Sequence, residues 1–260
     1  MKLATWNVNS VNARLETVLG WFREAQPDVA CLQEIKCVDE KFPREPFEAL
    51  GYNLAVHGQK SYNGVALLSK HPLSDVRRGL PGDDADEQAR YIEAVVEAPS
   101  PVRVASIYLP NGNPIGTDKF GYKLAWFERL RRHAADLLAH EEPLALAGDY
   151  NVIPGEEDVW DWRRWTDDAL FRPESRAAYR SLQWLGLADA HAQASGARHD
   201  YTFWDYQAGA WDRNHGIRID HVLLSPQAAD RLEAVQVHRD VRGREKPSDH
   251  VPVTVELRAA

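Results

Sequence analysis

Leu144-Ala145-Leu146-Ala147-Gly148-Asp149-Tyr150-Asn151 is the stretch on which the interpretation of this 260-residue chain depends. The apolar run stops at Gly148, which is typical of a buried strand that delivers its next residues to a sheet edge. Asp149 and Asn151 stand two positions apart, so both side chains point the same way if the backbone stays extended. Such oxygen ligands suit a hard cation, and the carboxylate can instead take a proton from water. The alternative is an Asx turn that closes the strand, which a D-x-N taken alone favours.

Around this stretch the chain alternates between short strands and a few amphipathic helices. Apolar residues at helical spacing predict helices near residues 15–22, 119–139 and 175–185. Strands are predicted at residues 3–6, 28–32, 51–57, 64–68, 91–96, 102–109, 144–147, 218–224, 234–237 and 251–257. Several neighbouring strands leave no room for a helix between them, so part of the sheet is antiparallel. With no linker or composition break, the pattern predicts one domain over residues 1–260, built from two packed mixed sheets with helices outside.

Composition narrows the class of protein. No window reaches the ~18 uncharged apolar residues of a membrane helix, and the N-terminus passes into a strand pattern without a secretory signal, so we expect a cytoplasmic protein and no membrane partner. Cys31 and Cys37 match neither a zinc knuckle nor a C-x-x-C redox pair. The net charge of −8 argues mildly against a nucleic-acid partner. It does not exclude one, because a cation site is itself acidic and basic residues can gather on one face.

Polar and ionisable side chains recur at the ends of the predicted strands. They are Asn7 and Asn9, Glu34, Tyr108, Asp149 and Asn151, Asp220 and His221, and the segment Lys246-Pro247-Ser248-Asp249-His250 before the final strand. Each one taken alone is more often structural than catalytic. Their recurrence indicates a site, because ligands favour the loops at one edge of a scaffold.

These residues carry a resemblance to a known family. The motifs are Trp6-Asn7-Val8-Asn9, Leu32-Gln33-Glu34, Tyr108-Leu109-Pro110-Asn111-Gly112, Gly148-Asp149-Tyr150-Asn151, Arg218-Ile219-Asp220-His221 and Ser248-Asp249-His250. In this order they resemble the exonuclease-endonuclease-phosphatase superfamily, and Gly58-Gln59-Lys60 and Glu245-Lys246-Pro247 resemble its exodeoxyribonuclease III branch of abasic-site endonucleases. The likeness runs from Lys2 to Leu257.

The resemblance implies an α/β fold, a four-layer α/β/β/α sandwich of two mixed sheets flanked by helices, as in DNase I-like proteins. It also implies a phosphodiesterase that uses Mg²⁺, with Mn²⁺ as a substitute. In this family pattern Glu34 is a metal ligand with Asn7 close by, Asp249 is a candidate second ligand, and Asp149 and Asn151 also lie around the metal. The implied catalytic residues are Asp149 for the attacking water, Asn151 for the water or transition state, His250 oriented by Asp220, and Tyr108 at the phosphate.

The implied substrate is double-stranded DNA with abasic sites or 3′ ends, bound by a monomer. The implied DNA-binding residues are Arg90, Asn111, Lys119, Phe203, Trp204 and Ile217. Apolar side chains such as the last three can enter the minor groove or wall a pocket for a flipped sugar, and the alternative for them is core packing. Arg90 and Lys119 are candidate phosphate contacts, with solvated surface charges as the alternative.

Two other functions fit the same motifs. The fold could act on RNA, a phosphorylated small molecule or a lipid, although the sequence lacks the apolar surface runs expected of a lipid enzyme. It could also be a catalytically silent binding protein, which the complete set of site residues disfavours. No G-x-S-x-G elbow and no phosphate-binding glycine loop is present in the sequence, which disfavours serine hydrolases and nucleotide-binding enzymes.

Overall fold

The computed structural model describes residues 1–194 and 199–259. In these ranges the strands are β1 (Lys2–Asn7), β2 (Val29–Gln33), β3 (Asn53–His57), β4 (Val65–Ser69), β5 (Leu73–Arg78), β6 (Tyr91–Val96), β7 (Val102–Tyr108), β8 (Leu144–Asp149), β9 (Ala188–Asp189), β10 (Asp220–Leu224), β11 (Leu232–Val237) and β12 (Val253–Leu257). The α-helices are α1 (Leu15–Ala25), α2 (Arg44–Glu48), α3 (Asp118–Leu138), α4 (Pro173–Gln183), α5 (Ala190–Ala194) and α6 (Pro226–Ala229). Short 3₁₀ turns lie at Asp39–Lys41, Glu156–Asp158, Trp162–Arg164 and Arg239–Gly243.

The strands form two six-stranded mixed sheets. Their orders are β11-β12-β1-β2-β4-β3 and β5-β6-β7-β8-β10-β9. β1 pairs in parallel with β2 and antiparallel with β12, while β8 pairs in parallel with β7 and antiparallel with β10. β1 and β8 therefore hold equivalent places in the two sheets. Both strands also end in a polar residue with an asparagine two positions later, Asn7 and Asn9 at β1 and Asp149 and Asn151 at β8.

Three large apolar clusters separate four layers. One cluster fills the space between the sheets and includes Leu3, Cys31 and Ala147. A second packs α1 against the outer face of the first sheet through Trp6 and Phe22. The third joins the outer face of the second sheet to helices α3 and α4. The expected α/β/β/α sandwich is confirmed.

Gly148 has a different role from the one expected of it. β8 does not stop at this glycine but continues through it to Asp149, in register with Ile107 and Tyr108 of β7. A Cβ atom on Gly148 would lie 2.0 Å from the carbonyl oxygen of Ile107. Glycine is needed there because the neighbouring strand approaches closely, and Asp149 is consequently held by a strand and not by a loop.

Some elements escaped the sequence patterns. β5 was not predicted, because its exposed residues show no apolar alternation and its pairing with β6 is broken between Ser74 and Arg77. The long irregular region predicted between Pro154 and Pro173 contains only two 3₁₀ turns before α4. Among the helices of the described ranges, none combines the length and apolarity required to cross a membrane.

Truncating the buried β8 side chain Leu146 is expected to cost about 2 to 5 kcal/mol of unfolding free energy, because Leu146→Ala leaves a cavity between the second sheet and α3. Urea unfolding followed by circular dichroism measures the loss. Trp184→Ala is the control, since Trp184 is 79% exposed and its removal should change stability by less than about 0.5 kcal/mol. Equal losses in the two variants would contradict the assigned core.

Candidate active site

The ends of β1 and β8 meet at one edge of the sandwich, and Asn7 connects them. Its Nδ2 donates to Oε1 of Glu34 at 2.9 Å and to Oδ2 of Asp149 at 3.0 Å. Asn7 and Asp149 are buried and Glu34 is half-buried. One side-chain amide therefore brings together carboxylates that belong to the two different sheets.

His250 lies between two carboxylates at the same edge. Its Nδ1 is 2.9 Å from Oδ2 and 3.1 Å from Oδ1 of Asp220, and its Nε2 is 3.7 Å from Oδ2 of Asp149. The Thr202 hydroxyl donates to Asp220 at 2.6 Å. Burial lowers the pKa of His250, but the charges of Asp220 and Asp149 outweigh burial and raise the pKa above its usual value. The imidazole is therefore held as a cation in a fixed orientation.

Asp149 is shielded from solvent by the groups around it. Burial raises the pKa of its carboxyl above the usual value, and the nearby charge of Asp220 adds to that rise while the His250 cation opposes it. A buried carboxyl whose pKa moves toward neutrality can accept a proton from a reacting group near pH 7. Asp149 thus has the electrostatic setting of a general base.

Asn151 adopts a left-handed backbone and not the extended one expected, because its φ is 45°. Its N–H donates to Oδ1 of Asp149 at 2.9 Å, which makes an Asx turn. The Asn151 amide donates to the carbonyl of Leu109 at 2.8 Å and accepts from Nδ2 of Asn111 at 3.1 Å. The Asx turn and the site are therefore not alternatives, because the turn is what places Asn151 beside Asp149.

Tyr108 is the last residue of β7 and flanks the same group. Burial raises the pKa of its phenol, and the negative charges of Glu34 and Asp149 raise it further. The Arg90 guanidinium lies 4.8 Å from the centre of the ring and donates to the Tyr108 carbonyl at 3.3 Å. The phenol therefore stays protonated and provides an O–H donor beside the carboxylates.

Two carboxylates of this site can hold a metal ion. A carboxylate oxygen of Glu34, one of Asp149 and a ring nitrogen of His250 lie within 4.8 Å of one another, and because His250 is a cation, the two carboxylates are the ligands. Burial raises the pKa of Glu34, but the ammonium of Lys36, 2.9 Å from Oε2, and the amide of Asn7 lower it below its usual value. Glu34 is therefore ionised. Carboxylate oxygens are the ligands that a hard divalent cation prefers, so the donor set fits such an ion.

The sequence-derived ligand set is brought together only in part. Asn7 and Asn151 touch the carboxylates through their amide and backbone hydrogen bonds. Asp249 lies outside the group of three, and its Oδ1 instead accepts hydrogen bonds from Asn9 at 3.1 Å and Ser248 at 3.3 Å. His250 belongs to the group although the sequence patterns gave it no place near a metal.

Comparison with known proteins agrees with this geometry. The model of the endonuclease/exonuclease/phosphatase family matches residues 4–250. The chain belongs to this family. It is similar to exodeoxyribonuclease III of Haemophilus influenzae, with 36% identity over 99% of this chain and 100% of that one.

Two solved structures are also similar to this family member. An AP endonuclease from Archaeoglobus fulgidus is 35% identical, has a TM-score of 0.95 and is covered completely, as is this chain. A 3′ phosphatase, NExo, from Neisseria, bound to a product DNA hairpin, is 38% identical with a TM-score of 0.96 over the full length of both chains. Sequence identity and structural similarity to these proteins therefore both extend over the whole chain.

Three of the residues that the family pattern assigns to DNA lie together. Arg90, Asn111 and Lys119 line one cavity of about 280 Å³ next to Tyr108. Lys119 is exposed on the first turn of α3, and Asn111 is exposed where the chain leaves β7. The structure thus gathers two cations and an amide beside the carboxylate group.

The three apolar residues assigned to DNA separate into two groups. Phe203 is half-buried, and its ring lies 4.9 Å from that of His250. Ile217 pairs with Phe203 but is only 1% exposed, so the core-packing alternative is correct for Ile217. Trp204 is only 1% exposed and packs 5.0 Å from Trp211 in the core under the first sheet. For Trp204 the core-packing alternative is correct, because a buried indole offers no surface to DNA.

Two residues of the site were missed by the sequence patterns. Lys36 pairs with Glu34 and also donates to Oδ1 of Asn9 at 2.6 Å. The position of Lys36 two residues after Glu34 could have indicated this role, because a cation so close to a carboxylate lowers the pKa of that carboxylate. Thr202 gave no signal, because its contact with Asp220 depends on folding across 18 positions.

Replacing Asp220 by Asn is expected to lower the pKa of His250, because the imidazolium loses its hydrogen-bonded anion. In metal-free protein the titration of His250 is followed by NMR of ¹⁵N-labelled histidine and assigned with His250→Gln. In the wild type, the raised pKa means that the ion pair stabilises the fold fully below the usual histidine pKa. That stabilisation is lost as the pH rises through the raised pKa.

Asp249→Asn is the matched control for this titration. The Asp249 carboxylate also raises the pKa of His250, but its influence ranks below those of Asp220 and Asp149. Its replacement should therefore shift the titration less than Asp220→Asn does. A His250 titration that stays unchanged in Asp220→Asn would contradict the assigned pairing.

Proposed function

We propose that this family member is a DNA-repair nuclease. It hydrolyses the phosphodiester 5′ of abasic sites in double-stranded DNA and removes nucleotides or blocking groups from 3′ ends. The observation that carries the proposal is the buried group of Asp149, Asn7 and Glu34 next to the His250 cation. The names of the similar proteins, which include an exodeoxyribonuclease, an AP endonuclease and a 3′ phosphatase, point in the same direction.

The residues divide the reaction among them. Asp149 takes a proton from water while the water oxygen forms a bond to phosphorus, and the Asn151 amide holds that water in line. The bond from phosphorus to the 3′ oxygen breaks, and that oxygen takes a proton from solvent water and leaves as a hydroxyl. The cation of His250 and the O–H of Tyr108 donate to the phosphate oxygens as negative charge develops on them.

A divalent cation completes this site, and we propose Mg²⁺ with Mn²⁺ as a substitute. Glu34 would be its main protein ligand, with Asp149 near enough to contribute. When bound, the ion neutralises charge on the phosphate in the transition state. Mg²⁺ keeps several waters and takes few protein carboxylates, which suits a donor set this small.

The substrate preference follows from the surfaces beside the carboxylates. Lys119 and Arg90 offer cations to backbone phosphates at the cavity next to Tyr108. Phe203, which Ile217 supports through its backbone pairing, offers an apolar wall next to His250 for a sugar that lacks its base. Such a sugar costs little to extrude from the duplex, because no base must be unstacked or unpaired. We expect the protein to act as a monomer.

The proposal predicts cleavage of a duplex that carries an abasic analogue, in the presence of Mg²⁺ and not of EDTA. Asp149→Asn should lower the rate by at least about 100-fold, because it removes the group that takes the proton from water. Denaturing gels compare abasic, matched 3′-end and 3′-phosphate duplexes side by side. Circular dichroism confirms that the variant is folded.

Two outcomes would overturn the proposal. Nicking by Asp149→Asn at the wild-type rate would exclude the assigned base. Hydrolysis of RNA or of a phosphorylated small molecule by the wild type, without cleavage of any of the DNA substrates, would move the protein to another substrate class. Glu174→Gln is the control variant, because Glu174 is exposed on the first turn of α4 and pairs with Arg172, and its change should leave the rates unaltered.

Metal binding gives a separate prediction. Glu34→Gln should weaken Mg²⁺ binding by about tenfold or more, because the ion loses its main carboxylate ligand. Asp249→Asn should weaken binding less, since Asp249 lies outside the group of three ligand atoms. Titration calorimetry with MgCl₂ and each variant measures both changes. A larger effect of Asp249→Asn would reverse the assigned ligands.

A further inference from the structure

A lysine is buried directly beneath the active site. Lys123 lies on α3 and its side chain is fully buried. Its Nζ donates to the carbonyl oxygen of Asn111 at 2.9 Å and to that of Asn151 at 2.5 Å. These two carbonyls belong to the segments that leave β7 and β8 at the catalytic edge. The amine therefore ties together two adjacent strand ends from below.

Packing alone does not explain a lysine at this position. Lys123 continues the apolar stripe of α3, because Phe127, Leu130, Ala134 and Leu137 follow it at alternating spacings of four and three. An aliphatic side chain would fill the same space without burying an amine, and burying an amine is expensive unless its hydrogen bonds are made. The burial of Lys123 is thus balanced by its two carbonyl contacts.

The two contacts do not depend on the charge of the amine. Burial lowers the pKa of Lys123 to about 7, while the charges of Asp149 and Asp168 oppose that shift. A lysine amine carries at least two N–H groups whether or not it is protonated. Both carbonyls therefore keep their donor on either side of neutral pH.

The carbonyl of Asn151 belongs to a residue whose backbone and side chain are both constrained. Asn151 has a left-handed φ of 45°, and its side chain is aligned by Leu109 and Asn111. Lys123 holds the backbone carbonyls of Asn111 and Asn151 at once. It therefore fixes the distance between Asn151 and the side-chain amide of Asn111, which aligns Asn151. A shift of this turn would also move the N–H of Asn151, which donates to the Asp149 carboxylate.

We infer that Lys123 is a positioning residue: its amine clamps the carbonyls of Asn111 and Asn151 so that the Asn151 amide and the Asp149 carboxylate face the reacting phosphate. This inference depends on the hydrolytic function proposed above. Lys123 itself touches no substrate, because α3 and the two strand ends cover it. Its loss should therefore slow the chemical step and leave DNA binding almost unchanged.

The test compares two lysines of the same helix. Lys123→Met keeps the length of the side chain and removes the amine, and it should lower kcat on the abasic duplex by about 10- to 100-fold with KM within about twofold of the wild type. Lys119→Met removes an exposed cation from the proposed phosphate contacts, and it should raise KM while kcat stays within about threefold. A lower kcat in Lys123→Met and a higher KM in Lys119→Met distinguish a positioning role from a DNA contact.

A double-mutant cycle shows whether Lys123 acts through Asn151. In an Asn151→Ala background, Lys123→Met should change kcat by less than about threefold, because the amide to be positioned is already gone. A general structural defect would instead lower kcat by the full factor in both backgrounds. Thermal unfolding checks each variant, and Lys123→Leu, which also lacks a side-chain donor, replaces Lys123→Met in the cycle if the latter does not fold.

Each result decides the inference separately from the proposed function. A kcat within about threefold of the wild type in Lys123→Met, or a full additive loss in the Asn151→Ala background, overturns the positioning role while the wild-type activity stands. Wild-type protein that cleaves none of the DNA substrates would instead overturn the proposed function.

Discussion

The Nδ2 of Asn7 makes the interaction on which the active site depends. It donates to Glu34, at the end of β2, and to Asp149, on β8, so it joins the two sheets at their catalytic edge. Burial and the charge of Asp220 raise the pKa of Asp149, and the His250 imidazolium opposes that rise. Burial also raises the pKa of Glu34, but the Lys36 ammonium and the Asn7 amide lower it below its usual value. The result is one ionised carboxylate suited to a metal and one suited to accept a proton.

The symmetry of the fold explains why the site lies at this edge. β1 and β8 occupy equivalent places in two sheets with the same pairing pattern, and each ends in polar residues where its parallel neighbour also ends. Sheets packed face to face bring these ends together without long loops. Each half of the sandwich then contributes only part of the site, so neither half alone holds both carboxylates.

The sequence predicted the layers and most strands, because the apolar runs and the helical stripe are local signals. It also predicted the polar strand ends, although only their recurrence and a family resemblance gave them a joint meaning. What it could not predict depends on tertiary packing. The strand continues through Gly148 because a neighbouring carbonyl approaches closely, and Trp204 is buried because Trp211 packs against it. Lys123 was readable as a lysine on an apolar stripe, but its partners are two carbonyls that only the folded chain brings near.

The direct attack of water on phosphorus is the central claim, and isotope transfer tests it. An abasic duplex is cleaved in water enriched in oxygen-18, and the products are analysed by mass spectrometry. Hydrolysis assisted by Asp149 predicts a single labelled oxygen atom in the new 5′ phosphate and an unlabelled 3′ hydroxyl on the other fragment. An unlabelled phosphate together with an unsaturated sugar at the 3′ end would show elimination instead, and would contradict the account.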